Sequence, residues 1–210
     1  MTSDHTTATG GFTGRGNTAP ALFTLPPING LSHAVLRRHF SQRENRTPDW
    51  VLGKLGRDPD GRPCETTRLT DLRWDVLLPA PVPDYLRDPE ILCSEYERQA
   101  SEQQSDLVVH CKLVVEGNQP LHCWWEASRA FAWETLVSAH QLAVIMVLHD
   151  PPATGYRNAN QPHIHLMMPA RQLDVRGFRQ TSALARDSAH PMLAAAWAKV
   201  REARGLPGGL

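Results

Sequence analysis

The hydrophobic pattern along the chain predicts strands interleaved with helices. Unbroken apolar runs that end at proline or at polar residues are typical of strands, whereas apolar residues that recur every three to four positions indicate helices. The longest apolar run, residues 142–148, predicts a central strand that is buried on both faces. The predicted strands are residues 74–78, 107–115, 142–149 and 163–168.

Helices are predicted around these strands. Asp88 followed by Pro89 is a typical helix start, with the aspartate as N-cap and the proline at the first helical position, and this helix runs to about residue 104. Further predicted helices are residues 31–43, 121–140 and 193–203. The expected fold class is therefore α+β, an antiparallel sheet with helices packed on one face.

Composition suggests the domain boundaries. Residues 1–30 are rich in Thr, Gly and Pro and show no hydrophobic period, which predicts a flexible N-terminal arm. Residues 31–203 are expected to form a single domain. Residues 204–210 are expected to be a disordered tail.

Charge and cysteine usage narrow the class of protein. Lys+Arg and Asp+Glu both count 22, so the formal charge is zero. This excludes a strongly basic nucleic-acid coat but permits a local basic groove. No apolar run approaches the length of a membrane span, and the N-terminus lacks the pattern of a secretory signal. Four cysteines without a CxxC pair favour free thiols in a reducing compartment, so we expect a cytoplasmic protein.

Three histidines form the strongest chemical signal. His163 and His165 lie two apart on a predicted strand, so both imidazoles point to the same face. His149 ends the preceding strand, and antiparallel pairing across residues 150–162 would bring it beside them. Three neutral imidazoles suit a divalent metal that keeps open positions and can polarise a phosphoryl oxygen. Alone, a His-x-His on a strand is more often solvent-facing and inert.

Other histidine chemistries fit less well. A nucleotide hydrolase of the histidine-triad type needs a third histidine where this chain has Met167, and a phosphodiesterase with paired His-x-Thr/Ser motifs needs a second copy. A zinc site from His110-Cys111 and His122-Cys123 is disfavoured, because neighbouring residues on a strand point to opposite faces.

The order of these segments resembles the plasmid mobilisation relaxases of the MobA/MobL type, members of the His-hydrophobe-His endonuclease class. The resemblance covers roughly residues 73–200. Four stretches carry it: Asp75-Val76-Leu77-Leu78-Pro79 with Pro83-Asp84-Tyr85; residues 92–115; Gln161-Pro162-His163-Ile164-His165-Leu166-Met167; and Arg171-Gln172-Leu173-Asp174-Val175-Arg176-Gly177-Phe178.

The resemblance implies a relaxase domain for conjugative mobilisation, which nicks one DNA strand at a transfer origin. In the family a tyrosine attacks the phosphodiester and becomes linked to the 5′ phosphate, while a three-histidine metal site polarises that phosphate. Here the match makes His149, His163 and His165 the ligands of a divalent ion, Mn²⁺, Mg²⁺ or Zn²⁺. Glu97 falls on the family's "VE" glutamate and would be a site carboxylate, although an exposed helix carboxylate is an equal alternative. The implied partners are single-stranded DNA at a transfer origin and accessory mobilisation proteins.

The chain departs from the family at the nucleophile. The family's tyrosine lies in an N-terminal helix after a first strand, yet no tyrosine precedes Tyr85. The nearest counterpart, residues 32–40, puts His39 or Phe40 at that position, and the first strand has no obvious match. Tyr156, in the loop between the histidine strands, is the candidate replacement.

Arginines supply the candidate DNA contacts. Arg157, Arg171 and Arg176 flank the histidine strand, where a phosphate would need them, although scattered arginines are more often solvated surface. The leading interpretation is a divergent relaxase domain. The alternatives are a non-catalytic remnant that binds single-stranded DNA and metal, and metal-dependent hydrolysis by a bound water.

Overall fold

A five-stranded antiparallel sheet forms the centre of the protein. The computed structural model describes residues 22–57, 71–150 and 161–208. The sheet strands are β1 (Leu31–Arg37), β4 (Asp71–Leu77), β5 (Asp106–Val114), β6 (Val144–His149) and β7 (His163–Pro169). Their order is β1-β5-β7-β6-β4, and each neighbouring pair is antiparallel. Two small hairpins flank the sheet: β2 (His39–Phe40) with β3 (Arg43–Glu44), and β8 (Arg171–Asp174) with β9 (Gly177–Thr181). The predicted α+β class is confirmed.

Four α-helices and several short turns complete the fold. The helices are α1 (Thr47–Lys54), α2 (Pro89–Gln99), α3 (Leu121–Phe131) and α4 (His190–Ala203). The predicted N-cap of α2 is confirmed, because the Asp88 carboxylate accepts from the backbone N–H groups of Glu90 and Ile91. The predicted helix over residues 121–140 ends as a π-helical segment, Ala132–Ser138. Shorter 3-10 turns cover Asp84–Arg87, Ala183–Ala185 and Asp187–Ala189.

Alternation along the strands divides the sheet into two faces. Ile164 and Leu166 of β7 point into a core built from α3, the π-helical segment and α4, with Trp124 and Trp197 fully buried. His163 and His165 point to the opposite face, which packs against α1 and α2. Helices therefore cover both faces. The sequence predicted helices on one face of the sheet. In the structure α3 and α4 cover one face, and α1 and α2 cover the histidine face as well.

The predicted helix over residues 31–43 is wrong. Residues 31–37 form β1, which pairs with β5 from Leu31–Leu113 to Val35–Val109. Six consecutive residues of β1 are buried, because this edge strand is covered on both faces. The fold's first strand is therefore present. The end of the predicted arm is also ordered, since Leu25 N–H donates to the His33 carbonyl at 2.8 Å; residues 1–21 lie outside the described ranges.

The C-terminal end of α4 is capped rather than frayed. The N–H of Leu206 donates to the Arg201 carbonyl and the N–H of Gly205 to the Glu202 carbonyl, with Gly205 at a φ of +63°. This is the Schellman arrangement, which needs a left-handed residue at that glycine. Leu206 is buried in the core. The predicted disordered tail is thus ordered over residues 204–208.

Two further observations concern membrane-spanning helices and the cysteines. Among the described helices, none combines the length and apolarity that a membrane crossing requires. Cys93, Cys111 and Cys123 are free thiols, as predicted, and Cys64 lies outside the described residues.

Candidate metal centre

The pairing of β6 with β7 brings three histidines together. His149 lies directly opposite His163 in the register, and His165 follows two residues later on the same face. One ring nitrogen from each histidine lies within 4.8 Å of the others. The ring centroids are 4.8–5.4 Å apart, and all three side chains are buried. The predicted convergence of three imidazoles is confirmed.

Hydrogen bonds fix the tautomers of two of these rings, His149 and His163. His149 Nε2 lies 2.8 Å from the Lys54 carbonyl oxygen, and His163 Nδ1 lies 2.7 Å from the Gln161 carbonyl oxygen. A carbonyl oxygen only accepts, so each of these nitrogens carries the proton. The lone pairs therefore reside on His149 Nδ1 and His163 Nε2. Carbonyl partners of this kind orient metal-binding histidines.

Burial keeps the three imidazoles neutral. Loss of hydration lowers the pKa of His163 to about 4 and lowers the pKa of His149 and, more strongly, that of His165. The positive charges of Lys54 and Lys112 act in the same direction on His149 and His163. Uncharged rings offer their lone pairs at neutral pH without first releasing a proton. The donor set therefore fits a divalent transition metal.

Two lysines border the histidines, and sequence reasoning missed both. Lys112 lies directly opposite His165 across the β5–β7 ladder, so the two side chains share a face. Lys54 ends α1, and its ammonium lies 5.6 Å from the centre of the Trp50 ring. Burial lowers the pKa of both lysines. Neither forms an ion pair with a carboxylate of the described residues. The sequence contained one indication of Lys112: His110 and Lys112 are polar residues two apart in an otherwise apolar strand, so they share a face.

Glu97 lies away from the histidines. Its carboxylate accepts the backbone N–H of Thr47 at 2.7 Å and lies 3.6 Å from the Arg38 guanidinium. It therefore caps the first turn of α1, whereas Lys54 at the other end of this helix contacts His149. An eight-residue helix spans about 12 Å. The structure gives Glu97 a capping role and does not bring it to the three histidines.

The two described arginines predicted for DNA binding, Arg171 and Arg176, also lie away from the histidines. Arg171 donates to the backbone carbonyls of Gln99, Phe178 and Arg179, which uses its guanidinium within the fold. Arg176 is exposed in the turn of the β8–β9 hairpin. That hairpin follows the end of β7 opposite His163, about 20 Å along the seven-residue strand. Arg157 lies outside the described residues.

The described tyrosines do not reach the site. Tyr96 is fully buried, its hydroxyl donates to the Asp106 carbonyl, and burial raises its pKa. Asp106 begins β5, whereas the other end of β5 pairs with His163. Tyr85 is exposed and borders the β8–β9 hairpin. His39 and Phe40, the predicted counterparts of the family nucleophile, form β2. Tyr156 lies outside the described residues.

Comparison with known proteins supports the fold. No family model and no curated protein matches the sequence. Among solved structures, a chain of "Molecular Basis of Vancomycin Resistance Transfer in Staphylococcus aureus" matches with a TM-score of 0.65 and 15% identity, over 86% of this chain and 95% of that chain. At this identity the likeness shows the fold alone, and the fold is relaxase-like.

Proposed function

We propose that this chain is a relaxase-like domain that binds a divalent metal through His149, His163 and His165 and acts on a phosphodiester of single-stranded DNA at a transfer origin. The observation that carries the proposal is the meeting of three neutral imidazoles on neighbouring strands of a relaxase-like sheet. Conjugative mobilisation and accessory mobilisation proteins belong to the same proposal.

The residues present favour one class of metal. Three imidazole nitrogens suit Mn²⁺ or Zn²⁺ better than Mg²⁺, which prefers an all-oxygen shell. When bound, such an ion supplies Lewis-acid polarisation of a phosphoryl oxygen. The chain's own part is to present its nitrogen lone pairs, which the carbonyls of Lys54 and Gln161 orient on His149 and His163.

Lys54 and Lys112 are the proposed phosphate contacts. Both stand on the histidine face without a described carboxylate partner, so their charge is available to a DNA backbone. Lysine contacts of this kind position a strand without reading its sequence.

Trp74 is the proposed base contact. It pairs with Val147 on β6, two residues before His149 and on the same face of the sheet. This places it about 7 Å along the strand and about 5 Å across from that histidine. Its side chain is 42% exposed, with the Arg57 guanidinium 5.6 Å from the ring centre. Exposed aromatic rings beside cations are the platforms on which single-stranded bases stack.

The placement of the tyrosines favours a second candidate, a non-catalytic domain that binds single-stranded DNA and metal. Tyr85 and Tyr96 both lie toward the end of the sheet opposite His163. A covalent mechanism through a tyrosine therefore needs one from outside the described residues, and Tyr156 is the proposed source. Metal-assisted hydrolysis by water would need no such group.

One assay separates these possibilities. A 3′-labelled single-stranded library of random sequence is incubated with the full chain and Mn²⁺, beside the double variant His163→Ala, His165→Ala. A protein–DNA adduct that survives denaturation and is absent from the double variant supports a relaxase, and Tyr156→Phe then identifies the nucleophile. Free cleaved ends support hydrolysis. Metal-dependent binding without cleavage supports the non-catalytic domain, and the absence of both binding and cleavage contradicts the proposal.

A further inference from the structure

A fourth histidine lies directly behind the metal centre. His110 on β5 places its Nε2 atom 2.8 Å from Nδ1 of His165, and the two ring centroids are 5.0 Å apart. The pair is buried, with 5% and 4% exposure. Trp50 of α1 meets the His110 ring edge-on, with centroids 5.0 Å apart. His110 is therefore held between a proposed metal ligand and an aromatic wall.

The contact between two imidazoles can form in two ways. In one, Nδ1–H of His165 donates to His110, and Nε2 of His165 keeps its lone pair. In the other, Nε2–H of His110 donates, and the proton of a neutral His165 resides on Nε2. Only the first arrangement leaves His165 able to bind a metal through Nε2. The tautomer of His110 therefore decides whether the third ligand is available.

This ligand differs from the other two in its partner. His149 and His163 are bonded to carbonyl oxygens, which accept and never donate. His165 is bonded to a ring that can do either. The other nitrogen of His110, Nδ1, is buried and has no hydrogen-bond partner among the described residues. Nothing described therefore holds His110 in one tautomer except its contact with His165.

We propose that His110 is a positioning residue for the metal centre. It accepts the hydrogen bond of His165 Nδ1–H and so fixes His165 in the tautomer that presents Nε2. The inference rests on the proposed metal-binding function and goes beyond it by assigning the orienting role to His110 instead of a carboxylate. Partners of this kind typically change metal affinity by about 10- to 100-fold.

The test compares two substitutions in the full chain, with Zn²⁺ and Mn²⁺ titrated by calorimetry. His110→Gln keeps an acceptor oxygen within reach of His165, whereas His110→Phe keeps a ring against Trp50 and removes the acceptor. We expect His110→Phe to lose about 10- to 100-fold in affinity for Zn²⁺ and His110→Gln to stay within about threefold of the unmodified chain. His33→Phe is the matched control, because His33 is a buried strand histidine on the opposite face that also has an unpartnered Nδ1. It should leave the affinity unchanged.

Each outcome is decisive. Equal affinity in His110→Phe and the unmodified chain overturns the inference alone, and equal loss in both His110 variants assigns the effect to packing. If the unmodified chain binds neither ion, the proposed metal site fails and the inference falls with it. Should His110→Phe not fold, ¹⁵N imidazole NMR of the unmodified Zn²⁺ form decides: a proton on Nδ1 of His165 supports the inference, and a bare Nδ1 overturns it.

Discussion

The carbonyl oxygen of Lys54 lies 2.8 Å from Nε2 of His149. The last residue of α1 thus orients a side chain of the central sheet, although the two positions are 95 residues apart in the sequence. The other end of the same helix is capped by Glu97. The position of α1 is therefore linked to the geometry of the histidine cluster.

Removing the cap should weaken metal binding from a distance. Glu97→Ala leaves the Thr47 N–H without its carboxylate acceptor and should cost about 1 kcal/mol of the free energy of unfolding. Because α1 also carries the carbonyl that orients His149, Zn²⁺ affinity should fall by about two- to fivefold. Urea unfolding and calorimetry measure the two effects. Glu95→Ala, which removes a partially buried carboxylate that pairs with Arg98 on the same helix α2, is the control, and equal losses of Zn²⁺ affinity in both variants would contradict the link.

The stability of the metal-free protein should fall at acidic pH. His163 has a folded-state pKa of about 4, below the ordinary value of 6.5, so the unfolded chain binds more protons between these two values. Its contribution to stability is complete above pH 6.5 and is lost as the pH falls toward 4. Such a shift corresponds to roughly 3 kcal/mol. Urea unfolding at several pH values checks this. His163→Gln should reduce the dependence without abolishing it, because burial also lowers the pKa of His149 and of His165; the exposed-site variant His122→Gln is the control.

The two lysines should affect DNA and metal in opposite directions. Lys54→Met and Lys112→Met each remove one phosphate contact, so affinity for a single-stranded oligonucleotide should fall by about three- to tenfold. The slope of log affinity against log salt should decrease by about 0.7 for each. Zn²⁺ affinity should stay the same or rise, since a nearby positive charge is removed. Arg176→Met, at the remote hairpin, should change neither, and a larger loss of DNA affinity there would contradict the proposed path of the strand.

Trp74 and Trp133 offer a matched pair for the base contact. Both are largely exposed, at 42% and 45%, but Trp133 belongs to the π-helical segment that packs on the other face of the sheet. Trp74→Ala should weaken single-stranded DNA binding by roughly 1–3 kcal/mol, while Trp74→Phe should keep most of the affinity. Fluorescence anisotropy with a labelled oligonucleotide measures the change. Equal losses in Trp74→Ala and Trp133→Ala would remove Trp74 from the proposed interface.

Local patterns predicted the part of the site that depends on neighbouring strands. His163 and His165 share a face because strands alternate, and His149 joins them because β6 and β7 are consecutive. The cap at Asp88 is equally local. The three-histidine cluster and four of the five sheet strands were therefore accessible from the sequence.

The parts that depend on distant contacts were missed. Residues 31–37 resemble a helix in isolation, and only pairing with β5, more than 70 residues later, makes them a strand. The sequence indicates a surface cation at Arg171. In the folded chain its guanidinium donates to three backbone carbonyls, which only tertiary packing brings together. The sequence groups His110 with its neighbour Cys111, whereas its hydrogen-bond partner is His165 on the adjacent strand. In each case the contact that determines the local structure joins residues far apart in the sequence, so hydrophobic periodicity within a segment cannot predict it.

The position of β1 at the edge of the sheet has a consequence for folding. Six residues of this strand belong to the interior, but its partner β5 follows about 70 residues later in the sequence. Non-local pairing of this kind slows folding and leaves an apolar segment exposed in the meantime. The histidine strands β6 and β7, by contrast, are consecutive in the chain, so their pairing closes only a short loop. For the complete chain we therefore expect the β6–β7 pair, which is close in sequence, to form before the edge strand closes the sheet.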